Sequence, residues 1–532
     1  MMANGPKGQS VTKDHGVDIT EDVKILHSMG YAQELSRRMG AFQNFAISFS
    51  IICILAGGIT AFPLSLSAAG GASLGFGWPL ACLFALIVAA SLGQVASAYP
   101  TAGGIYHWAS MLGGKGWGWA AAWFNLAGLL FVVSSVNFGV FLLFRDLFLA
   151  GVLGMDVSSW VSGAMFDSGW WIQTIFITAI TVLQAIINHY GIKATTIVTD
   201  FNGYIIFVVS IVLTVALLAY APSIDLSRLF TFSDFTGEPG GSVWPTAQAS
   251  IFLAFMLGLL QGVYTITGFD ASGHTSEETR NAAREVPKGM IRSVWWSFLF
   301  GYVMVCAFVL ALPSVEEGAA QGWNAFPWLM QQSPMPEFLK DLLIIFIVIS
   351  NFLCALSGLT SCSRMMYAFA RDNGLPGSGY LKHVSATHRT PTHAIWWGAI
   401  LSIIATLYGD AFYVLATGCA VFLYLSYVMA CAAGLRSELK GTWTQKGPFN
   451  LGGASVLVAV LAVIGCIILI LVGVQPPNEK VGYLILGMIV VMAIIWYAFE
   501  RSRFEGPPIG ERIAKRQAEI AAEEKAVGEA AQ

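Results

Sequence analysis

The chain has 532 residues, of which 56% are hydrophobic and only 11% charged, with a formal net charge of −3 and a mean hydropathy of +0.67. A soluble protein carries roughly a quarter charged residues, so an ordinary soluble domain is excluded. Apolar runs of about 20 residues recur, enough for helices to cross about 30 Å of hydrocarbon, and the alternation of a membrane β-barrel is not seen.

Residues 1–40 form a polar tail of mixed charge without the pattern of a cleavable signal peptide. Twelve helical spans follow, near 42–70, 75–98, 117–150, 169–189, 200–221, 247–272, 290–313, 337–370, 393–409, 411–435, 452–474 and 480–499. Hydrocarbon offers no partner for backbone groups, so each run must be a helix. The reading is an all-α polytopic membrane protein: a tail over 1–40, a transporter domain over 41–500 and a second tail over 501–532. With both tails cytoplasmic, 24 of the 28 Lys and Arg residues lie inside, and only Arg145, Arg228, Lys340 and Lys480 lie outside. That imbalance is the positive-inside pattern and suits a multi-pass protein of the cell membrane.

Span one is interrupted at Ala56-Gly57-Gly58-Ile59-Thr60-Ala61-Phe62-Pro63, and span six at Thr267-Gly268-Phe269-Asp270-Ala271-Ser272-Gly273. The breaks are five spans apart, an odd offset, so the second copy runs in the opposite direction. This is the arrangement of an inverted repeat whose discontinuous helices meet at the midplane around a substrate. The freed N–H groups after Gly57 and Gly58 suit a carboxylate; close helix packing also explains two small residues.

Asp270 is an acid inside an apolar span, and such residues usually serve a function. It could pair with a substrate ammonium, carry a coupling proton, or cap the second half-helix. Phe62, Tyr264 and Phe269 flank the breaks and are candidate gates, or simple packing. In span eight, Ser357, Thr360 and Ser361 share one face. With Asn351 they could offer oxygens to sodium against span one, or back-bond to the preceding turn. Arg364 and Arg371 lie at the inner end of span eight and are expected to anchor it or to pair with Glu277 or Glu278.

The eight cysteines all fall in apolar segments, without a C-x-x-C pair, and read as small buried hydrophobes. None of the eight histidines is placed deep in a span, and no H-E-x-x-H pattern or phosphate-binding G-x-x-x-x-G-K-[ST] loop exists. No cofactor, metal site, catalytic residue, enzymatic activity or nucleic-acid partner is therefore expected.

Several short motifs in fixed order resemble the amino acid–polyamine–organocation superfamily over about residues 30–500. They are Glu34-Leu-Ser-Arg-Arg38, Tyr99-Pro-Thr-Ala-Gly-Gly-Ile-Tyr106, Gly268-Phe-Asp270, Glu277-Glu278, Val286-Pro-Lys-Gly289, Arg371-Asp-Asn-Gly-Leu-Pro376 and Thr390-Pro-Thr-His-Ala394. Gly268-Phe-Asp-Ala-Ser-Gly-His-Thr-Ser-Glu-Glu-Thr279 is similar to the branch of amino acid and choline permeases that includes γ-aminobutyrate permeases. The resemblance implies a five-plus-five inverted-repeat fold with broken helices one and six. It also implies a substrate site at Gly57, Gly58, Ile59 and Thr60 opposite Gly268, Phe269 and Asp270. There, Gly57, Gly58 and Ile59 would hold a carboxylate, and carbonyls near Gly268 would face an ammonium. The expected partners are an amine or amino acid substrate, a proton or sodium as coupling ion, and the bilayer. Several proton-coupled relatives place a lysine in span five; here the corresponding position falls near Ile206 and no lysine lies within that span. Amino acid, γ-aminobutyrate, choline and polyamine all fit, and a solute channel is the rival class.

Overall fold

The computed structural model describes residues 19–407 and 411–529. Among them, regular structure is helical apart from one isolated bridge between Met39 and Thr279. Ten of the described helices are long and apolar enough to cross a membrane; two shorter apolar helices, Ile251–Thr265 and Thr392–Ala405, take the places of spans six and nine. The end of the expected span nine, at 408 and 409, lies outside the described residues, as does the tail before residue 19.

Burial sorts the spans. The apolar stretch of span one is 89% buried inside the protein, against 28% and 17% for spans eleven and twelve. The first therefore runs through the middle of the bundle, and the last two stand at its rim with side chains turned to lipid. All eight cysteines are buried and unpaired in disulfides.

Two spans begin earlier than their apolar runs suggest. Span five starts at Ile192 rather than near 200, and span seven at Ala282 rather than near 290. Hydropathy marks the hydrocarbon layer, whereas these helices continue past it with charged turns such as Glu285 and Lys288, paired at 2.8 Å. Span seven also tolerates Pro287. Proline supplies no N–H to the carbonyl four residues back, and here the Ser97 hydroxyl donates to that Ala283 carbonyl at 2.6 Å. The free N–H groups at the start of the same helix are met by Asp22 of the N-terminal helix Ile19–Ser28, whose carboxylate accepts from Asn281 and Ala282 at 2.6 and 3.0 Å.

On the opposite face, the long connection between spans five and six folds over the second half of span one. Trp244 donates to the Leu64 carbonyl at 2.9 Å, and the Phe235 N–H donates to that of Ala68 at 3.0 Å.

Candidate functional site

Span one leaves helical geometry after Ile52. Cys53 takes φ +27°, and the chain resumes as a single turn, Gly57–Thr60, followed by Phe62–Ala69. The break thus lies one turn before the expected place, and Gly57 and Gly58 fall just past it. Their composition has a packing reason at Gly57: a Cβ there would lie 2.7 Å from Thr265 Oγ1 and 2.8 Å from Thr265 Cα. Span six breaks where expected, between Ile251–Thr265 and Ala271–His274. Gly268 has φ +85°, and a Cβ would sit 2.3 Å from Ile51, so both the left-handed backbone and the contact with span one require glycine.

The two breaks meet. Around them lies a small cavity of about 20 Å³, room for about one water molecule, lined by Ala56, Gly57, Val136, Tyr264, Thr265 and Thr267 together with Ile51, Ile52, Val132, Cys354 and Cys419. All eleven residues are buried, so this conformation closes the cavity toward both faces. Side chains from neighbouring spans brace the opened backbone. Asn351 donates to the Leu55 carbonyl and Gln261 to the Gly58 carbonyl, each at 3.0 Å. The Gly57 and Ile59 N–H groups are already bonded to the carbonyls of Cys53 and Ala56. Among the described residues, the Gly58 N–H and the carbonyls of Thr265, Ile266 and Thr267 make no backbone hydrogen bond. One side of the junction therefore offers a donor at a helix start, and the other offers acceptors at a helix end, where the peptide dipoles add partial negative charge.

Of the candidate gates, Tyr264 alone lines the cavity, with its hydroxyl 3.2 Å from Ser135 Oγ. Phe62 packs edge-on against Phe308, and Phe269 lies tilted by 36° against Tyr427; both are fully buried away from it. In span eight, Ser357 back-bonds to Leu353, and the single Thr360 hydroxyl proton lies between Asn188 Oδ1 of span four, at 2.7 Å, and the Leu356 carbonyl, at 3.0 Å. Ser361 Oγ is buried without a protein partner. The span-eight groups that do reach the break of span one are earlier: Ser350 beside Cys53, Asn351 on Leu55 and Cys354 on the Ile51 carbonyl.

Asp270 does not cap the half-helix that follows it. Its carboxylate is fully buried and held by side chains of three spans: the Tyr427 hydroxyl at 2.6 Å, the Asn125 amide at 3.1 Å and His274 Nε2 at 3.1 Å. His274 and His107, which lie near span ends, are both buried within the protein, each against a carboxylate. The i, i+4 spacing of Asp270 and His274 was the available signal, as were Asn125 and Gln261, polar residues within apolar spans.

At the face where the tails meet, Glu277 and Glu278 form the expected pairs. Arg371 takes Glu277 through two bonds of 2.9 and 3.0 Å, and Arg364 takes Glu278 through two of 3.0 and 3.1 Å. Arg371 also lies over the Tyr31 ring at 3.9 Å. Burial alone would raise the Glu277 carboxyl, but Arg371 and the Ala102 N–H hold it below the usual carboxylate range. Asp372 is likewise held low against its burial, chiefly by His107, with Arg371 and Tyr31 helping. The N-terminal segment straps this seal: Met39 bonds to both Glu278 and Arg280 through backbone groups, and Arg37 donates to the Ser276 and Thr279 carbonyls. The C-terminal helix closes over the strap, with Glu524 accepting from Gln33 N–H at 2.8 Å and lying 2.7 Å from His27.

A larger crevice of about 620 Å³ opens among spans three, eight, nine and twelve, lined by residues such as Trp123, Leu130, Met366 and Met492. Its apolar walls give no group that could orient a charged solute.

Comparison with known proteins adds an independent line. A family model described as amino acid permease matches residues 39–496. The chain is 30% identical to the amino-acid permease BAT1 of Arabidopsis thaliana over 91% of its own length and 95% of that protein. It is 31% identical to the BAT1 homolog of Oryza sativa, covering 91% and 94%. It is also 28% identical to the GABA-specific permease of Saccharomyces cerevisiae, over 73% of this chain and 66% of that one.

Proposed function

The chain belongs to the amino acid permease family, and on that premise we propose that it is a secondary active transporter carrying an amino acid across the cell membrane by alternating access. The observation that carries this reading is the junction of the two broken spans. A zwitterion needs a donor for its carboxylate and acceptors for its ammonium. The Gly58 N–H and the carbonyls of residues 265–267 are among the backbone groups there that make no backbone hydrogen bond. No carboxylate lines the cavity, and that of Asp270 is already engaged by three side chains. A bare cation such as choline or a polyamine would thus lack a counter-charge, which favours substrates bearing their own carboxylate, γ-aminobutyrate among them.

Closure of the cavity toward both faces supports a carrier over a channel. The tails touch each other on one face, and the basic residues concentrate there, so that face is read as cytoplasmic.

Counterflow in proteoliposomes tests the function. Vesicles preloaded with unlabelled alanine, leucine, glutamate, arginine, γ-aminobutyrate, choline or putrescine are expected to take up the matching label only when an amino acid is inside, with flux that saturates. Flux rising linearly with concentration, or counterflow with choline and putrescine alone, would overturn the reading. Single cysteines introduced at position 15 and at Glu519 should react with an impermeant maleimide only after permeabilisation; equal labelling in intact cells would reverse the orientation.

A further inference from the structure

We propose that Asp270 and His274 together form one proton-binding site that couples transport to a proton gradient. The inference deepens the transport reading above and rests on it.

The hydrogen bonds around the pair count its protons. His274 Nδ1 lies 3.3 Å from the Ala102 carbonyl, and Nε2 lies 3.1 Å from Asp270 Oδ2. A carbonyl and a carboxylate only accept. A neutral imidazole has one N–H and one lone pair. With Asp270 ionised, it must therefore turn that lone pair on one of these two oxygens. Adding one proton to the pair removes the conflict at both ends: either an imidazolium faces a carboxylate, or an imidazole faces a carboxylic acid. The remaining contacts supply two donors to the Asp270 carboxyl. Tyr427 accepts the Gly268 N–H at 3.2 Å and so directs its own proton to Asp270 Oδ1, while Asn125 donates to Oδ2. The geometry fits the loaded pair and leaves the unloaded one with a buried mismatch, which is costly where no water can relieve it.

The surroundings hold no competing charge. Span one carries none along Ala41–Ile52. Span three faces the pair with Asn125, and span ten with Tyr427 and Cys419. Span eight brings Arg364 and Arg371, each already bidentate on Glu278 or Glu277. The charges of span seven, Arg284, Lys288 and Arg292, are exposed, and Glu285 is paired with Lys288. His107, on the helix Ile105–Gly113, is engaged with Asp372.

The pair is wired in two directions. Tyr427 ties it to the Gly268 backbone in the break. On the other side, the backbone of Ala102 faces His274 with its carbonyl and donates its N–H to Glu277 at 3.0 Å, the partner of Arg371. Loss of the proton leaves one N–H for two acceptors; the ionised carboxylate is the stronger acceptor, so His274 keeps its bond to Asp270 and gives up the one to Ala102, which loosens one support of the Glu277–Arg371 seal. Protonation then favours the closed inner face, and release of the proton favours its opening.

The full-length protein in liposomes containing pyranine tests this, using whichever amino acid gives the largest counterflow. In the wild type, acid outside should raise accumulation by roughly tenfold or more, about 1.4 kcal/mol, and substrate addition should acidify the lumen. His274→Gln should lower the ratio of gradient-driven accumulation to exchange by a similar factor and abolish the acidification. Tyr427→Phe keeps both members of the pair but removes one donor, so it should shift the midpoint of the pH dependence. Wild-type counterflow without pH-driven accumulation overturns the proton site and leaves transport standing, whereas absence of counterflow overturns the transport reading itself. Undiminished coupling in His274→Gln, or an unmoved midpoint in Tyr427→Phe, overturns the assignment to this pair.

Discussion

The Glu277–Glu278 end of span six and its central break meet their neighbours through different chemistry. At the basic face, Glu277 and Glu278 are locked by bidentate arginines from span eight. Half a span away, the junction with span one is made from backbone groups, two braces from Asn351 and Gln261, and close contacts between Gly57 and Thr265 and between Gly268 and Ile51. A buried ion pair is stiff and is costly to break one partner at a time, which suits a gate with two definite states. Backbone ends carry partial charges, so they can hold a zwitterion without demanding a counter-ion when it leaves.

The largest effect that separates these regions should come from Glu277→Gln. It strands Arg371 in a buried site and is expected to cost about 3–5 kcal/mol, read as a fall in the unfolding midpoint in detergent; adding Arg371→Met should restore much of it. Full stability in the single variant would mean that the seal is not held by charge. Because the Glu277 carboxyl is held low in the fold, its stabilisation is present above the unfolded carboxylate value and disappears as pH falls through the folded one. The wild type should therefore lose stability on acidification more steeply than the variant.

Gly57→Ala comes next. Its added methyl group meets the Thr265 backbone, and overpacking of this kind costs about 1–3 kcal/mol, so uptake should fall by roughly tenfold or more. Gly58→Ala meets only the flexible end of Met304, at 3.1 Å, and should keep at least roughly half of wild-type uptake. Equal losses in the two variants would place both glycines at the ligand rather than at a packing contact.

Asp270→Asn removes the charge but keeps an oxygen for Tyr427. Accumulation at matched expression is expected to fall by roughly tenfold, about 1.4 kcal/mol. Retention of half or more would leave Asp270 with a purely structural place among Asn125, Tyr427 and His274.

The smallest effect belongs to Glu34→Gln. Burial raises the Glu34 carboxyl above its ordinary value, with the Tyr367 hydroxyl and Arg371 opposing. Its contribution to stability is thus full below the unfolded carboxylate value and is lost as pH rises through the folded one. Glutamine keeps an acceptor for Tyr367 and does not titrate. The variant should match the wild type near pH 4 and exceed it slightly at pH 7, by less than about 1 kcal/mol. A large loss of stability at pH 7 would show that the inner strap depends on an ionised Glu34.

Composition, the spacing of apolar runs and the distribution of Lys and Arg were enough to establish a helical, multi-pass architecture and to place the breaks near Gly57 and Gly268, because bilayer thickness and backbone satisfaction leave few alternatives. The pairing of Arg364 and Arg371 with Glu277 and Glu278 was legible too, since few charges lie at that depth. The order within the site was decided only by the fold. Cys53 opens span one a turn early, Thr265 crowds Gly57, and Ser350, Asn351 and Cys354 face the break, whereas Ser357 and Thr360 bond elsewhere. Asn125 and Tyr427 reach Asp270 from spans three and ten, 145 and 157 residues away in the chain. Local pattern fixes where a helix must form or fail. Which side chain completes a buried carboxylate depends on how the helices pack, and helical periodicity carries no record of that.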